Sequence, residues 1–306
     1  MIVTLRPLAL VLLFASALPL QAQRSRAIRP SGPTYDVEVQ RDITYGVVGA
    51  TALKLDLLRP RGLTGVRVPV VVFVHGGGWS SGDKAGGIGQ LTPLVRRGYV
   101  GATINYRLSG AAKFPAQIED AKCAIRYLRA NAASLGIDPD RIGVWGSSAG
   151  GHLVALLGST GDVEAWNASG GWPGVSSRVQ AVADWYGPSN LNTMGPQSLP
   201  CSGINHDAAT SPEGQLLGCA IPSCPDRAAA ASPVTYVTAD DAPTLLMHGT
   251  NDCTVPPGQS QELYDALRAT GVDATLVFLA GAGHGGPEFA AASGMVIEFF
   301  DRQLRK

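Results

Sequence analysis

The stretch Val144-Trp145-Gly146-Ser147-Ser148-Ala149-Gly150-Gly151 decides the fold of this chain. It follows an apolar run at 141–145 that is typical of a buried strand, and it leads into an apolar run at 152–157 that is typical of a helix. Between the two runs stands the pattern Gly-x-Ser-x-Gly, centred on Ser148. This pattern predicts a sharp strand-to-helix turn that holds the serine hydroxyl at the carboxyl edge of a sheet.

Length and composition indicate a globular protein with a large buried core. The chain has 306 residues, of which 45% are hydrophobic and 16% are charged. Lys plus Arg and Asp plus Glu both number 24, and no basic stripe or block of like charges interrupts the sequence. This balance argues against nucleic acid as a partner.

The first residues have the pattern of a targeting segment. Arg6 precedes an apolar run at 8–20, and Ala22 offers a small residue for cleavage. We predict a signal peptide over 1–22, a loose segment over 23–34, and a secreted or periplasmic protein. The alternative is an uncleaved membrane anchor, but the run is short for a span. No later segment is long and apolar enough to cross a bilayer, so stable membrane insertion is not expected.

Strand and helix patterns alternate along the rest of the chain. Residues 35–39 and 53–57 alternate polar and apolar side chains, as half-buried antiparallel strands do. Six further strands are predicted at 70–74, 99–105, 141–145, 179–186, 244–249 and 274–279, with helices between them at 88–97, after 115, at 152–157, at 259–270 and at 287–303. The alternation predicts an α/β fold: one domain over 35–306 with a mainly parallel, eight-stranded sheet covered by helices on both faces.

Residues 190–233 break this alternation after the sixth strand. They are rich in Gly, Pro, Ser and Cys and show little periodicity. A segment of this length between core elements is usually functional, so we predict a lid-like insertion.

Five cysteines are present, and export would permit disulfides among them. Cys123 lies in an apolar helical pattern and is predicted to be a buried free thiol. We predict at least one disulfide among the other four, which would hold the insertion near the functional edge of the sheet; they are Cys201, Cys219, Cys224 and Cys253. A zinc site is the alternative, but the nearest histidine, His206, does not stand at a metal-ligand spacing.

A serine nucleophile needs a base, and the base needs an orienting acid. His284 is the predicted base, because it lies in a Gly-rich loop that follows the last strand. His248 and His152 fit buried structural positions better, and His206 is expected to be exposed in the insertion.

Asp252 is the predicted acid. It follows the strand ending near 249, whose carboxyl end should lie at the same sheet edge as Ser148. The competing Asp240, Asp241 and Asp273 precede strands, and we interpret them as solvated turn or capping residues. The order along the chain is then serine, aspartate and histidine.

The run His75-Gly76-Gly77-Gly78-Trp79 follows a strand and can supply backbone amides to an oxyanion. Gly76 and Gly77, together with Ala149 after the serine, are the predicted oxyanion donors. Phosphate binding is the alternative for a Gly-rich turn, but no lysine follows at the spacing of a P-loop.

These motifs together resemble those of an α/β-hydrolase esterase. The similarity is to proteins related to hormone-sensitive lipase and, more closely, to bacterial feruloyl or acetylxylan esterase-like proteins. The matching pieces are His75–Trp79 with Gly82–Lys84, Asn105–Leu108, Phe114–Ala116 with Asp120, Gly146–Gly150, Trp185–Pro188, Asp252 and His284. The helical cap that usually precedes the domain in the lipase-related branch is missing, so the insertion is the expected cover.

The resemblance implies a secreted serine hydrolase that cleaves carboxylic esters without a metal or other cofactor. Its substrate would be a small-molecule or polysaccharide-linked ester; the acyl group, the alcohol and the oligomeric state stay open. A peptidase or amidase of the prolyl-peptidase type is the alternative on the same three residues, and a binding module without activity is a third. Trp79, Trp185 and Tyr186 are the candidate substrate contacts, with core or lid packing as their alternative role.

Overall fold

The structure of the protein is a computed structural model that describes residues 34–161 and 163–305. The predicted signal peptide over 1–22 lies outside the described residues, as does nearly all of the predicted loose segment over 23–34.

Eight strands form one sheet in the order β1-β2-β4-β3-β5-β6-β7-β8. Their bounds are β1 Val37–Val48, β2 Thr51–Pro60, β3 Val68–Val74, β4 Val100–Ile104, β5 Ile137–Ser147, β6 Ala181–Trp185, β7 Thr244–Gly249 and β8 Ala274–Leu279. The pairs β1–β2 and β2–β4 are antiparallel, and all other pairs are parallel. The predicted mainly parallel sheet is therefore confirmed, with its antiparallel end at the N-terminal strands.

The central strands are apolar because helices cover both faces of the sheet. Every residue of β4 and of β6 is buried, and six of the seven residues of β3 are buried. Continuous runs of this kind, instead of alternating ones, are what a parallel sheet between two helical layers requires.

The described residues contain nine α-helices. Their bounds are α1 Gly87–Arg96, α2 Ala116–Ala130, α3 Ala132–Leu135, α4 Ala149–Ser159, α5 Met194–Gln197, α6 Pro212–Leu217, α7 Pro225–Ala230, α8 Gly258–Ala269 and α9 Pro287–Leu304. Short 3-10 helices span Lys84–Gly86, Glu164–Asn167, Ile221–Ser223 and Pro233–Tyr236.

The two faces of the sheet carry different helices. Leu91 of α1 and Phe299 of α9 join one buried cluster, whereas Ile118 of α2 and Leu153 of α4 join another. Within residues 34–161 and 163–305, we find no helix with the length and apolarity needed to cross a membrane.

The segment 190–233 lies between β6 and β7 and forms three short helices, α5 to α7. Glu262 of α8 accepts hydrogen bonds from Asn190, Thr193 and Gln197 and so fixes the beginning of the segment. These contacts tie the insertion to the helical layer over β7, although its own sequence shows little periodicity.

The prediction of at least one disulfide among the four cysteines is confirmed, since two are present. Cys201 is bonded to Cys253, so the insertion is covalently joined to the loop after β7, and Cys219 is bonded to Cys224 within the insertion. Cys123 is a buried free thiol, as predicted. Its Sγ lies so close to Gly46 and Gly170 that a side chain on either glycine would overlap it.

Candidate active site

Four parallel strands end at the same edge of the sheet and deliver the predicted site residues there. The loop after β3 begins with His75, and β5 ends immediately before Ser148. The loops after β7 and β8 carry Asp252 and His284. The carboxyl ends of neighbouring parallel strands in an open α/β sheet form a common crevice, and this is where the four loops meet.

The turn at Ser148 has the strained backbone that its motif predicts. Ser148 has φ 56° and ψ −124°, a left-handed conformation that few non-glycine residues adopt. Its amide donates to the Trp185 carbonyl at 2.9 Å, which ties the turn to β6. A methyl group on Gly146 or Gly150 would overlap backbone of the turn or of β3, so both glycines are required for the close approach of strand and helix.

Ser148, His284 and Asp252 lie in one hydrogen-bonded chain. His284 Nε2 is 2.9 Å from Ser148 Oγ, and His284 Nδ1 is 2.7 Å from Asp252 Oδ2. Asp252 is fully buried, whereas the side chain of His284 is 23% exposed. A carboxylate on one side of an imidazole and a hydroxyl on the other is the arrangement in which histidine can remove the serine proton.

The surroundings of Asp252 keep it ionised and oriented. Its Oδ1 accepts from the amides of Thr254 and Val255 at 2.8 and 2.9 Å. Burial opposes ionisation, but hydrogen bonds from His248 and His284 outweigh this penalty and hold the pKa of Asp252 well below its ordinary value. Asp252 is therefore a carboxylate at neutral pH, and its two oxygens have different partners.

His248 is a second histidine beside Asp252 that the sequence reasoning interpreted as structural. Its Nε2 lies 2.9 Å from the Val255 carbonyl and 3.3 Å from Asp252 Oδ2. Its Nδ1 is 2.7 Å from Ser260 Oγ, whose hydroxyl can donate to it. His248 thus holds the loop that carries Asp252 in place. Its position at the end of β7, four residues before Asp252, is the sequence feature that could have indicated this contact.

The glycine loop after β3 has a fixed shape. Gly77 and Gly78 have φ 110° and 57°, and the Gly77 carbonyl accepts from the amides of Ser80 and Ser81. Below the loop, Tyr106 donates its hydroxyl to the His75 carbonyl at 3.0 Å. The predicted oxyanion donors Gly76, Gly77 and Ala149 all come to the wall of the cavity that contains Ser148.

That cavity has a volume of about 420 Å³. The residues that line it are Gly76, Gly77, Gly78, Trp79, Ser147, Ser148, Ala149, Tyr186, Pro188, Ile204, His206, Pro212, Glu213, Thr254, Val255 and His284. The four insertion residues Ile204, His206, Pro212 and Glu213 make one wall, so the insertion adjoins Ser148.

The three predicted substrate contacts have different positions. Trp79 and Tyr186 line the cavity, and Trp79 Nε1 donates to His152 Nδ1 at 3.1 Å. Trp185 does not line it, contrary to the prediction: its ring packs against Trp145 and Phe289 beside a separate cavity of about 240 Å³. The reason is the alternation of a strand, which turns the side chain at 185 toward α9.

His152 is a buried structural histidine, in agreement with the sequence interpretation. Its Nε2 donates to the Ala231 carbonyl at 2.7 Å, while Nδ1 accepts from Trp79. Burial lowers its pKa to about 4, so the ring is neutral at neutral pH. It therefore fixes Trp79 at the cavity wall.

His206 is the histidine whose environment the sequence did not reveal. It was expected to be exposed, but it is 2% exposed and lies 3.2 Å from Glu213 Oε2. The two residues are seven positions apart in a stretch without periodicity, so no sequence pattern paired them. Among the described residues, no group of three or more His, Cys, Asp and Glu side chains has the arrangement of a metal site.

Known proteins are similar to this chain over most of its length. The sequence model of the family named BD-FAE matches residues 55–267. The esterase LipQ of Mycobacterium tuberculosis is 33% identical over 234 residues, which are 75% of this chain and 53% of that protein. The esterase LipC of the same organism is 34% identical over 249 residues, or 80% and 59%. The chain thus spans about half the length of the curated relatives it matches.

Solved structures of esterases are also similar to this chain, over about nine-tenths of its length. A truncated carbohydrate esterase from gut microbiota superposes with a TM-score of 0.79 at 32% identity, covering 90% of this chain and 99% of that one. The esterase Est2 of Thermogutta terrifontis superposes with a TM-score of 0.71 at 28% identity, covering 88% and 92%.

Proposed function

The chain belongs to the BD-FAE family of α/β-hydrolase esterases, and from this premise we propose that it hydrolyses carboxylic esters through an acyl-enzyme on Ser148. The observation that carries the proposal is the continuous hydrogen-bonded chain from Ser148 Oγ through His284 to Asp252, at 2.9 and 2.7 Å. Ser148 and His284 line a cavity whose wall also includes the glycine loop after β3.

In the proposed reaction, Ser148 Oγ attacks the ester carbonyl carbon while His284 Nε2 accepts the hydroxyl proton. Asp252 holds Nδ1–H and stabilises the imidazolium that forms. The amides of Gly76, Gly77 and Ala149 donate to the oxyanion of the tetrahedral intermediate. His284 then protonates the departing alcohol, and water, deprotonated by the same ring, releases the acid from Ser148.

The related proteins support this chemistry without defining its substrate. Est2 of Thermogutta terrifontis has been solved with butyrate bound, and also phosphorylated by paraoxon. Short acyl groups and organophosphates are therefore suitable first probes for this chain. The two disulfides support export to an oxidising compartment, and we propose a single domain over 35–306 with 190–233 as its lid.

Replacing the proposed nucleophile tests the function directly. Ser148→Ala should lower kcat/KM for p-nitrophenyl acetate by about a thousandfold or more, because it removes the hydroxyl on which the proposed acyl-enzyme forms. It should also abolish labelling by a fluorophosphonate. Steady-state rates and gel fluorescence measure the two effects.

The adjacent serine provides the matched control. Ser147→Ala should keep fluorophosphonate labelling and change kcat/KM by less than about tenfold, because the hydrogen-bonded chain to Asp252 runs through Ser148 and His284 and does not include Ser147. Labelling that persists in Ser148→Ala and disappears in Ser147→Ala would refute the assignment. Turnover of peptide amides at rates matching those of the ester would favour the prolyl-peptidase alternative instead.

A further inference from the structure

The insertion places a buried polar pair in the wall of the Ser148 cavity. His206 and Glu213 are each 2% exposed, and both line the same cavity as Ser148 and His284. The remaining insertion residues in this wall, Ile204 and Pro212, are apolar. The pair is thus the polar part of an otherwise apolar surface that faces the proposed reaction centre.

The pair has polar atoms without hydrogen-bond partners. His206 Nδ1 and Glu213 Oε2 lie 3.2 Å apart but are not aligned as a hydrogen bond, and His206 Nε2 also has no partner among the described residues. Buried polar groups in folded proteins are nearly always hydrogen-bonded. Unsatisfied atoms of this kind in a cavity wall indicate that a ligand group completes their bonding.

The backbone around the pair is held in place from both sides. Ser211 Oγ donates to the His206 carbonyl at 2.9 Å and accepts from the Gly214 amide at 2.9 Å. Ser211 thereby caps the beginning of α6, whose first turn contains Glu213. The disulfide from Cys201 to Cys253 anchors the chain shortly before His206. The two side chains are therefore presented by a fixed scaffold, as a binding site requires.

We propose that His206 and Glu213 together bind a hydroxyl group of the substrate ester. A hydroxyl both donates and accepts, so it can donate to the Glu213 carboxylate while it accepts from the His206 ring N–H. The proposal rests on the proposed esterase function, since the hydroxyl must belong to the molecule whose carbonyl reaches Ser148. The favoured substrate is then an ester that bears a free hydroxyl near its scissile bond.

Two parts of an ester can supply this hydroxyl. It can belong to the alcohol, as in a monoacylated sugar with free neighbouring hydroxyls, or to the acyl group, as in a phenolic aromatic acid. The apolar neighbours Ile204, Pro212 and Trp79 can pack against the ring in either case. The recognition chemistry is the same, and the experiment separates the two sources.

The first measurement compares matched esters with the unmodified protein. The alcohol pair is a methyl xyloside monoacetate with free hydroxyls and its O-methylated counterpart. The acyl pair is methyl 4-hydroxycinnamate and methyl cinnamate. We expect kcat/KM to be higher for the free hydroxyl by about tenfold or more in one of the two pairs, and that pair identifies the source. Equal values within both pairs would overturn the proposal.

The second measurement removes the pair. Glu213→Gln and His206→Gln should each lower kcat/KM for the preferred hydroxyl ester by about ten- to a hundredfold, since Glu213→Gln replaces a charged acceptor by a weaker neutral one and His206→Gln moves the N–H donor away from its ring position. In both variants the ratio of kcat/KM for the free-hydroxyl ester to kcat/KM for its masked counterpart should fall by about tenfold or more, because the masked ester has no hydroxyl for the pair to bind. Fluorophosphonate labelling of Ser148 confirms that each variant is folded and has an intact reaction centre.

Glu262→Gln is the matched control, because it weakens the anchor of the insertion at α8 without touching the cavity. It should leave the selectivity between free and masked esters unchanged. If Glu213→Gln and Glu262→Gln reduce all esters equally, the pair has a purely structural role and the inference fails. If the unmodified protein hydrolyses none of the esters and resists the fluorophosphonate, the proposed function itself fails.

Discussion

Asp184 is a buried carboxyl that neither the proposed reaction nor any ion pair among the described residues uses. It lies in β6 with no exposed surface, and its Oδ1 accepts from the Gly187 amide at 2.9 Å. Its Oδ2 has no hydrogen-bond partner within residues 34–161 and 163–305. Burial raises the pKa of Asp184 to about 7, although the hydrogen bond from Gly187 opposes this shift.

Asp184 should make the stability of the protein depend on pH. The folded state retains the proton up to about pH 7, whereas the unfolded chain releases it near its ordinary pKa of 3.8. Between these values the folded state binds more protons, so the contribution of Asp184 to stability falls as pH rises. The free energy of unfolding of Asp184→Asn, measured relative to that of the unmodified protein, should therefore rise by on the order of 3 kcal/mol between pH 4 and pH 7.

Urea denaturation of both proteins at pH 4, 5.5 and 7 measures this gain. Because other titrating groups are common to both, the difference between the two proteins isolates residue 184. A difference that stays constant across this range would show that Asp184 ionises as readily in the folded state as in the unfolded one.

Residues at strand ends could be located from sequence, but residues that meet across the insertion could not. Ser148 is centred between two glycines, and Asp252 and His284 follow recognisable strands, so their shared sheet edge was predictable. The structure brings these three together as predicted. His206 and Glu213 meet because short helices fold back over the cavity, and nothing in their spacing indicates this. The prediction for Trp185 was wrong because neighbouring residues at the end of a strand point to opposite faces of the sheet, and only Tyr186 faces the cavity.

At the element scale, α1 and α4 each contain a helical glycine with a different constraint. A methyl group on Gly150 of α4 would overlap the carbonyl oxygen of Val74 in β3, whereas one on Gly89 of α1 would meet no atom of the described part of the chain within 4 Å. The same substitution should therefore have opposite effects in the two helices.

We expect Gly89→Ala to raise the free energy of unfolding by about 0.5–1 kcal/mol, because alanine loses less backbone entropy in a helix. Gly150→Ala should lower it by about 3 kcal/mol or more, because backbone cannot move aside without separating α4 from β3. Thermal and urea unfolding measure both. Stability changes of the same sign and similar size in both variants would contradict the close contact of α4 with β3 at Gly150.

The regular elements were predictable because each has a clear period or a continuous apolar run. β8 begins and ends where the sequence predicts, and α8 and α9 agree within one residue at each end. β1 and β2 are longer than their alternating cores, since pairing with each other extends them to Val48 and Thr51. α5 to α7 have six residues or fewer, too short for a helical period to emerge from sequence.

At the scale of the whole molecule, the two disulfides close loops of very different length. Cys201 and Cys253 are 52 residues apart, whereas Cys219 and Cys224 are 5 apart. A crosslink that closes a longer loop removes more entropy from the unfolded chain. The first bond also joins the insertion to the residue next to Asp252.

Replacing both cysteines of the long-range pair by alanine should cost about 4 kcal/mol of free energy of unfolding, against about 2 kcal/mol for the short-range pair. The Cys201→Ala/Cys253→Ala protein should also hydrolyse esters more slowly, since the insertion and the acid loop lose their covalent link. Denaturant unfolding and p-nitrophenyl acetate rates measure the two effects, with the Cys219→Ala/Cys224→Ala protein as control. An equal loss of stability in both proteins would argue against the loop-length effect.

The alternation of strands and helices predicted eight strands and one domain, but not the order of the strands. β3 lies between β4 and β5, so the chain steps backward across the sheet from β3 to β4 and then advances again to β5. That reversal follows from right-handed crossovers packing helices on both faces, a property of the assembled sheet and not of any local sequence.

The buried thiol of Cys123 can report local opening of the protein core. Its Sγ is enclosed by Gly46 and Gly170, and burial raises the pKa of the thiol to about 11. A thiol reagent must therefore wait until α2 separates from β1 before it can react. The other four cysteines are paired, so under non-reducing conditions Cys123 is the cysteine that the reagent modifies. Divided by the rate for the unfolded chain, the rate of modification then gives the fraction of molecules in which this part of the core is open.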